Sequence, residues 1–161
     1  MAGGPIFPHS FYPNPATSGD MFPNYHVGGT NSRHDEGIGL AASISTDATA
    51  ELRFQMPPTL PSGTGKLRIL SLANATSGTV VFDPQWVSVA AGENPDTATL
   101  NAEGNTTTTW ASGDADDYKE TKITLDADTL VGGETVVMNL VFDSTSTLAA
   151  VSTHIVAIIW E

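Results

Sequence analysis

A two-residue rhythm of apolar side chains, cut at short intervals by glycine and proline, constrains this chain more than any other feature. It is clearest in Gly65 to Val89, GKLRILSLANATSGTVVFDPQWVSV. Lys66-Leu67-Arg68-Ile69 alternates polar and apolar, which gives an extended chain one wet face and one dry face. Asn74-Ala75-Thr76-Ser77-Gly78 supplies turn chemistry, since Asn and Gly accept positive φ and hydroxyls bond nearby backbone. Val80, Val81, Phe82, Trp86, Val87 and Val89 then load a second strand with β-branched and aromatic residues. Pro84 has no N–H to give a ladder, so this strand is expected at a sheet edge or to bulge there.

The same rhythm recurs along the chain. Ile38, Leu40, Ala42 and Ile44 occupy every second position, as do Leu52, Phe54 and Met56. Pro57-Pro58 and Pro61-Ser62-Gly63 stop the latter run. Ala90 to Asp117 is polar and predicts one or two short exposed strands with long turns. Thr121, Ile123 and Leu125 resume the pattern, and Val131-Gly132-Gly133-Glu134 turns the chain. Thr135 to Phe142 is apolar on both faces, which implies burial on both sides or a subunit contact. His154 to Trp160 closes the chain with an almost continuous apolar run. Short strands, Gly/Pro-rich turns and the lack of a long helical pattern predict an all-β fold. The expected form is a jelly-roll-like antiparallel β-sandwich of about eight strands. An immunoglobulin-like sandwich usually packs a tryptophan on a disulfide, which a chain with no cysteine cannot form.

Residues 1–36 differ in kind. They hold five of the 10 prolines, namely Pro5, Pro8, Pro13, Pro15 and Pro23, interleaved with Phe7, Phe11, Tyr12, Phe22 and Tyr25. Proline density forbids a helix and discourages a ladder, so an extended arm is expected ahead of a β-sandwich domain over 37–161. Rings left in water keep a large apolar area exposed, so the arm is expected to dock on a partner, the other reading being that it wraps its own domain. Phe7, Phe11, Tyr12, Phe22 and Tyr25 are the expected anchors, with Arg33 placed to pair with acids.

Charge narrows the function classes. With 18 acidic and 6 basic residues the net charge is −12, and such a chain lacks the cations that displace counterions from phosphate, so no nucleic-acid partner is expected. No window approaches a membrane span, so no membrane partner is expected either, and the N-terminus lacks the pattern of a signal peptide. The sequons at Asn74 and Asn105 are read as chance matches for that reason.

Catalytic and metal signatures are weak. Asp114-Ala115-Asp116-Asp117, with Glu120, Asp126 and Asp128, could gather oxygens for calcium, yet lacks the loop glycine and terminal glutamate of an EF-hand. A solvated acidic turn is the plainer reading. His9, His26, His34 and His154 stand at no ligand spacing. His34-Asp35-Glu36 has no nucleophile beside it, and His154 is expected as a packing residue. No cofactor, metal or enzymatic activity is expected.

The succession LRFQMPPTLPSGTGKLRI, a turn, VVFDPQWVSV, a Thr/Asp-rich middle, YKETKITL, GGETVVMNLVFD and HIVAIIWE resembles a β-sandwich of tailed-phage virion proteins. These are capsid-associated decoration or cement proteins and some fibre-like appendages. The resemblance spans Ala50 to Glu161, although such domains often end on a polar strand and this one ends on an apolar one. It implies a non-enzymatic structural protein on the capsid exterior, trimeric, partnered with the major capsid protein and stapling its subunits. It offers no active-site residues. The alternative is a carbohydrate-binding or fibre-like receptor-binding β-sandwich. For that reading Trp86, Trp110, Trp160 and Tyr118 could offer flat platforms for sugar rings. Trp86 and Trp160, flanked by Val and Ile, read as core or contact residues. Trp110, in a polar run, is the one expected to be exposed and available to a glycan.

Overall fold

Eleven antiparallel strands form two stacked sheets in the computed structural model, which describes residues 11–13, 21–25, 36–40, 47–148 and 151–161. The first three are β1 (Phe11–Pro13), β2 (Met21–Tyr25) and β3 (Glu36–Leu40), described as backbone alone. Then follow β4 (Ala48–Gln55), β5 (Gly65–Leu72), β6 (Gly78–Val89), β7 (Asn101–Ala102) and β8 (Thr106–Trp110). The chain closes with β9 (Tyr118–Thr124), β10 (Thr135–Phe142) and β11 (Ser152–Trp160). One sheet has six strands, in the order β1-β4-β10-β6-β7 with β8 also on β6; the other has five, β2-β3-β11-β5-β9. The fold is a jelly-roll-like antiparallel β-sandwich, as the alternation predicts, and the Ile38 to Ile44 run begins in β3. No helix among the described residues is long and apolar enough to cross a membrane.

Alternation fills the space between the sheets. Leu52 and Phe54 of β4 with Met56 just past its end, Val136, Met138, Leu140 and Phe142 of β10, and Phe82 and Trp86 of β6 turn inward from the six-stranded sheet. They meet Leu67, Ile69, Ile123, Val156, Ile158 and Trp160 of the other. Each such side chain, fully buried, contributes roughly 1.5–3 kcal/mol. Phe82 and Phe142 are cross-strand partners, and their rings meet edge to face with centroids 4.8 Å apart, the orientation that ring quadrupoles favour. Thr108 of β8 and Thr121 of β9 share a hydroxyl hydrogen bond that ties the two sheets along one edge.

Pro84 lies neither at an edge nor in a bulge. β6 pairs with β10 without a register shift from Phe82 to Val89, so it is an interior strand. On its other flank β8 pairs with residues 78–82 and β7 with Gln85 and Trp86. Pro84 falls in the gap between these two partners, where no ladder asks for its missing N–H. The irregularity in the described sheets is in β11 instead, where the register shifts between Thr153 and Ile155, around His154.

The double-sided strand is β10, and a neighbouring subunit is not needed to bury it. Val137 stands between Arg53 and Val87, and Val141 between Thr49 and Asp83. Both valines are buried on the outer face because β10 is central and its flanking side chains crowd over it.

β1 and β2 lie within the stretch expected as an arm, and β3 crosses its 36/37 boundary. These backbones are extended, as expected, but they pair: β1 with β4, β2 with β3, and β3 with β11. β1 and β2 are edge strands, the one place where Pro13 and Pro23 cost a sheet little. Phe7, Arg33, His9, His26 and His34 lie outside the described residues. So do the side chains of Phe11, Tyr12, Phe22, Tyr25 and His154.

Candidate functional site

The outer face of the six-stranded sheet carries the site. β4 turns Glu51, Arg53 and Gln55 outward, β10 turns Thr135, Val137 and Asn139, and β6 turns Gln85, Val87 and Val89. The register stacks these into cross-strand rows: Gln55–Thr135–Val89, Arg53–Val137–Val87 and Glu51–Asn139–Gln85. This face is polar along β4 and gains its aliphatic surface from Val137 of β10 and Val87 and Val89 of β6.

A turn converts this face into a cleft. Past Val89 the chain bends back, with Glu93 N donating to Ala90 O at 3.2 Å and Ala90 N to Glu93 Oε2 at 2.9 Å. Asn94 Oδ1 accepts from Asp96 N at 3.0 Å and starts a 3-10 turn at Pro95–Thr97. The braced segment 90–95 forms one wall, Arg53 and Gln55 the other, and Val89, Thr135 and Val137 the floor of a cleft of about 320 Å³. That volume falls within the range of small-ligand sites.

The polar groups of the cleft are held before any ligand arrives. Gln55 Nε2 donates to the carbonyls of Gly133 at 3.0 Å and Glu134 at 3.2 Å, and Gln55 Oε1 accepts from the Thr135 hydroxyl at 3.0 Å. Arg53 Nε donates to Glu51 Oε1 at 2.7 Å, while the Arg53 side chain stays 45% exposed. Fixed donors and acceptors lose little freedom on binding, which favours recognition of a polar ligand.

Trp110 does not supply a platform there. It is 1% exposed and belongs to the core, opposite Gly78 in the ladder, contrary to its expected exposure. Thr107 and Thr109 face solvent while Trp110 takes the inward phase of the same strand. Trp86 and Trp160 are buried as expected, and among the described residues Tyr118 is the exposed ring at 55%. Tyr118 sits on β9, in the other sheet, away from the cleft.

The remaining charged groups brace turns and strands. Asp114 accepts from Lys119 Nζ at 2.9 Å and from Ala111 N at 2.7 Å. The Lys119 hydrogen bond is the main cause that lowers its pKa. The acidic run is thus a braced turn, and among the described residues no group of acids and histidines could hold a metal ion. On the outer face of the five-stranded sheet Lys122 bonds Glu161, Lys66 reaches Glu161 at 3.1 Å and Arg68 reaches Glu120 at 2.5 Å. These contacts raise the Lys122 pKa and lower that of Glu161, in both cases chiefly through the Lys122–Glu161 hydrogen bond. Asp143 is lowered chiefly by the Thr145 hydroxyl, then by Thr145 N and by Asn105.

A pH dependence follows. Asp143, Asp114 and Glu161 have folded pKa values below their unfolded ones. Their contribution is therefore present above the unfolded pKa and disappears as pH falls through the folded one. The urea midpoint is expected to drop between about pH 5 and pH 2, and Asp143→Asn to flatten part of that slope. An acid limb that is identical in wild type and variant removes Asp143 from the account.

No protein-family model matches the chain, and no curated protein matches it. Among solved structures it is similar to a carbohydrate-binding module studied for specific mannan recognition, with a TM-score of 0.52 and 11% identity over 100% of this chain and 98% of that one. It is also similar to the family 11 carbohydrate-binding module of a Clostridium thermocellum cellulosomal cellulase (TM-score 0.47, 10% identity, 94% of this chain and 87% of that one). A third likeness is to the enzymatically active domain of a bacteriophage CBA120 tailspike protein (TM-score 0.43, 10% identity, 94% of this chain and 19% of that one). At these identities the first likeness is one of fold, a β-sandwich shared along the whole length of both chains.

Proposed function

We propose that this protein is a glycan-binding β-sandwich module whose binding site is the cleft on the outer face of the six-stranded sheet. The observation that carries the reading is the cleft itself: a concave surface floored by Val89, Val137 and the Thr135 hydroxyl, with preorganised Arg53 and Gln55 along one wall. Sugars present apolar C–H patches bordered by hydroxyls, and such a surface matches both parts. The shared fold with a module studied for mannan recognition supports it. Binding is the whole of the proposed role, with no catalytic step.

Capsid stapling, the sequence's first expectation, depends on the rings of the N-terminal segment. No described side chain carries it: Phe7 and Arg33 lie outside the described residues, and of Phe11, Tyr12, Phe22 and Tyr25 only the backbone is described. The cleft, by contrast, is built from described side chains, and it is the better basis.

Affinity electrophoresis through native gels holding soluble polysaccharides tests the reading. The protein is expected to be retarded by at least one polysaccharide. Arg53→Ala with Gln55→Ala is expected to weaken retardation at least about ten-fold, given the charged Arg53 donors removed and the loss of the Gln55 brace on Thr135, with an unchanged circular dichroism spectrum. Unretarded migration of the wild type in every gel overturns the proposal.

A further inference from the structure

The cleft brings a donor-only group opposite acceptor groups. An arginine guanidinium can only donate hydrogen bonds, and an ionised carboxylate can only accept them. Arg53 lines one wall and Glu93 the other. The Thr135 hydroxyl on the floor spends its hydrogen on Gln55 Oε1, so it too is left to accept. A sugar hydroxyl does both at once. Two adjacent hydroxyls can therefore accept from Arg53 and donate to Glu93 or Thr135.

An acidic sugar meets the opposite situation. Its carboxylate brings acceptors alone and faces Glu93, a like charge. Arg53 keeps free N–H groups, but Glu51 Oε1 stands 2.7 Å from its Nε, so Glu51 and Glu93 together outweigh its single positive charge. A chain of net charge −12 adds a long-range field that repels polyanions. Among the described residues the lining contains no aromatic ring, so the described groups discriminate by hydroxyl pairing.

We infer that the cleft selects neutral sugars with adjacent free hydroxyls and rejects acidic ones, with Arg53 and Glu93 as the specificity-determining pair. This rests on the glycan-binding reading above. Glu93 also braces its own turn through Ala90 N, so the informative variant is Glu93→Gln, which keeps an acceptor oxygen there and removes the charge.

The test runs the full chain through gels holding mannan, xyloglucan or mixed-linkage β-glucan as neutral probes, and polygalacturonate or alginate as acidic ones. Retardation is expected with at least one neutral probe and with neither acidic one. It should be lost when the neutral probe is first treated with periodate, which cleaves adjacent diols. Glu93→Gln is expected to narrow the gap between neutral and acidic probes at least about ten-fold, the scale of one charge-assisted hydrogen bond. Retardation by acidic probes alone, or an unchanged preference in Glu93→Gln, overturns the inference and leaves glycan binding standing. No retardation by any probe removes the glycan reading, and the inference with it.

Discussion

Trp86→Ala is expected to lower the unfolding free energy by about 3–5 kcal/mol, the cost of truncating a buried aromatic in a close-packed core. Trp86 is fully buried between the sheets, and its indole also has a second role. Nε1 donates to Glu103 Oε1 at 2.6 Å, and the same oxygen accepts from Asp126 N at 2.8 Å and Ala127 N at 3.0 Å. Glu103 thereby latches the loop after β7 to the loop after β9 across the end of the sandwich. Trp86→Phe keeps most of the packing and removes one of three donors to a carboxylate, a change expected to cost about 1.5–3 kcal/mol. Trp110 provides the contrast. Its ring is as deeply buried, but its Nε1 has no hydrogen-bond partner among the described residues. An unpaired buried N–H is itself destabilising, so Trp110→Phe trades lost volume against a removed penalty and is expected to stay within about 1 kcal/mol of wild type. Urea unfolding of the three variants at one pH checks the order. If Trp110→Phe costs as much as Trp86→Phe, the hydrogen-bond account of the difference is wrong.

Gly63→Ala is the second large effect. Gly63 has φ +113°, a conformation that L side chains rarely adopt. A Cβ there would also sit 2.8 Å from Glu161 O and 3.1 Å from Glu161 C. Both are backbone atoms that cannot swing aside, because Thr64 and Glu161 pair through Thr64 N to Glu161 O at 2.9 Å and Glu161 N to Thr64 O at 3.3 Å. Backbone strain of about 1–3 kcal/mol joins overpacking of about 1–3 kcal/mol, for an expected loss of about 2–6 kcal/mol. Gly92 has φ +94° but nothing within 4 Å of its added Cβ, so Gly92→Ala isolates the backbone term. Thermal unfolding of both variants separates the two causes, since Gly63→Ala must cost distinctly more than Gly92→Ala if contact with Glu161 matters.

Much of the strand pattern was legible because burial on one face writes itself into the sequence at period two. β4 and β5 each carry an apolar set that suits one face, and a one-residue slip would turn that set to water. The turns at Pro57-Pro58 and Gly132-Gly133 were equally plain from their backbone chemistry. Trp110 was misplaced because threonine is indifferent to face: Thr106 to Thr109 carry no alternation, so nothing local says which phase Trp110 follows. The phase comes from β8 pairing with β6, where Trp110 lies opposite Gly78. Pro84 misled for the same kind of reason. A missing N–H can be tolerated at an edge, in a bulge or between two partner strands, and sequence cannot choose among them. Within the proline-rich start, β1 and β2 are extended, but the pairing of β1 with β4 depends on a partner far along the chain.

By itself, then, the sequence determined an antiparallel β-sandwich, an acidic charge and the inward residues of the alternating strands, since each follows from neighbours two positions apart or from simple counts. The tertiary structure alone decided the cleft. Arg53 and Gln55 reach Thr135 and Val137 across some eighty residues of chain, and Glu93 joins them through a turn braced by its own carboxylate. No local pattern encodes that meeting, because strand order is set by the packing of whole sheets, and a polar outward face looks alike wherever in the sheet it ends up.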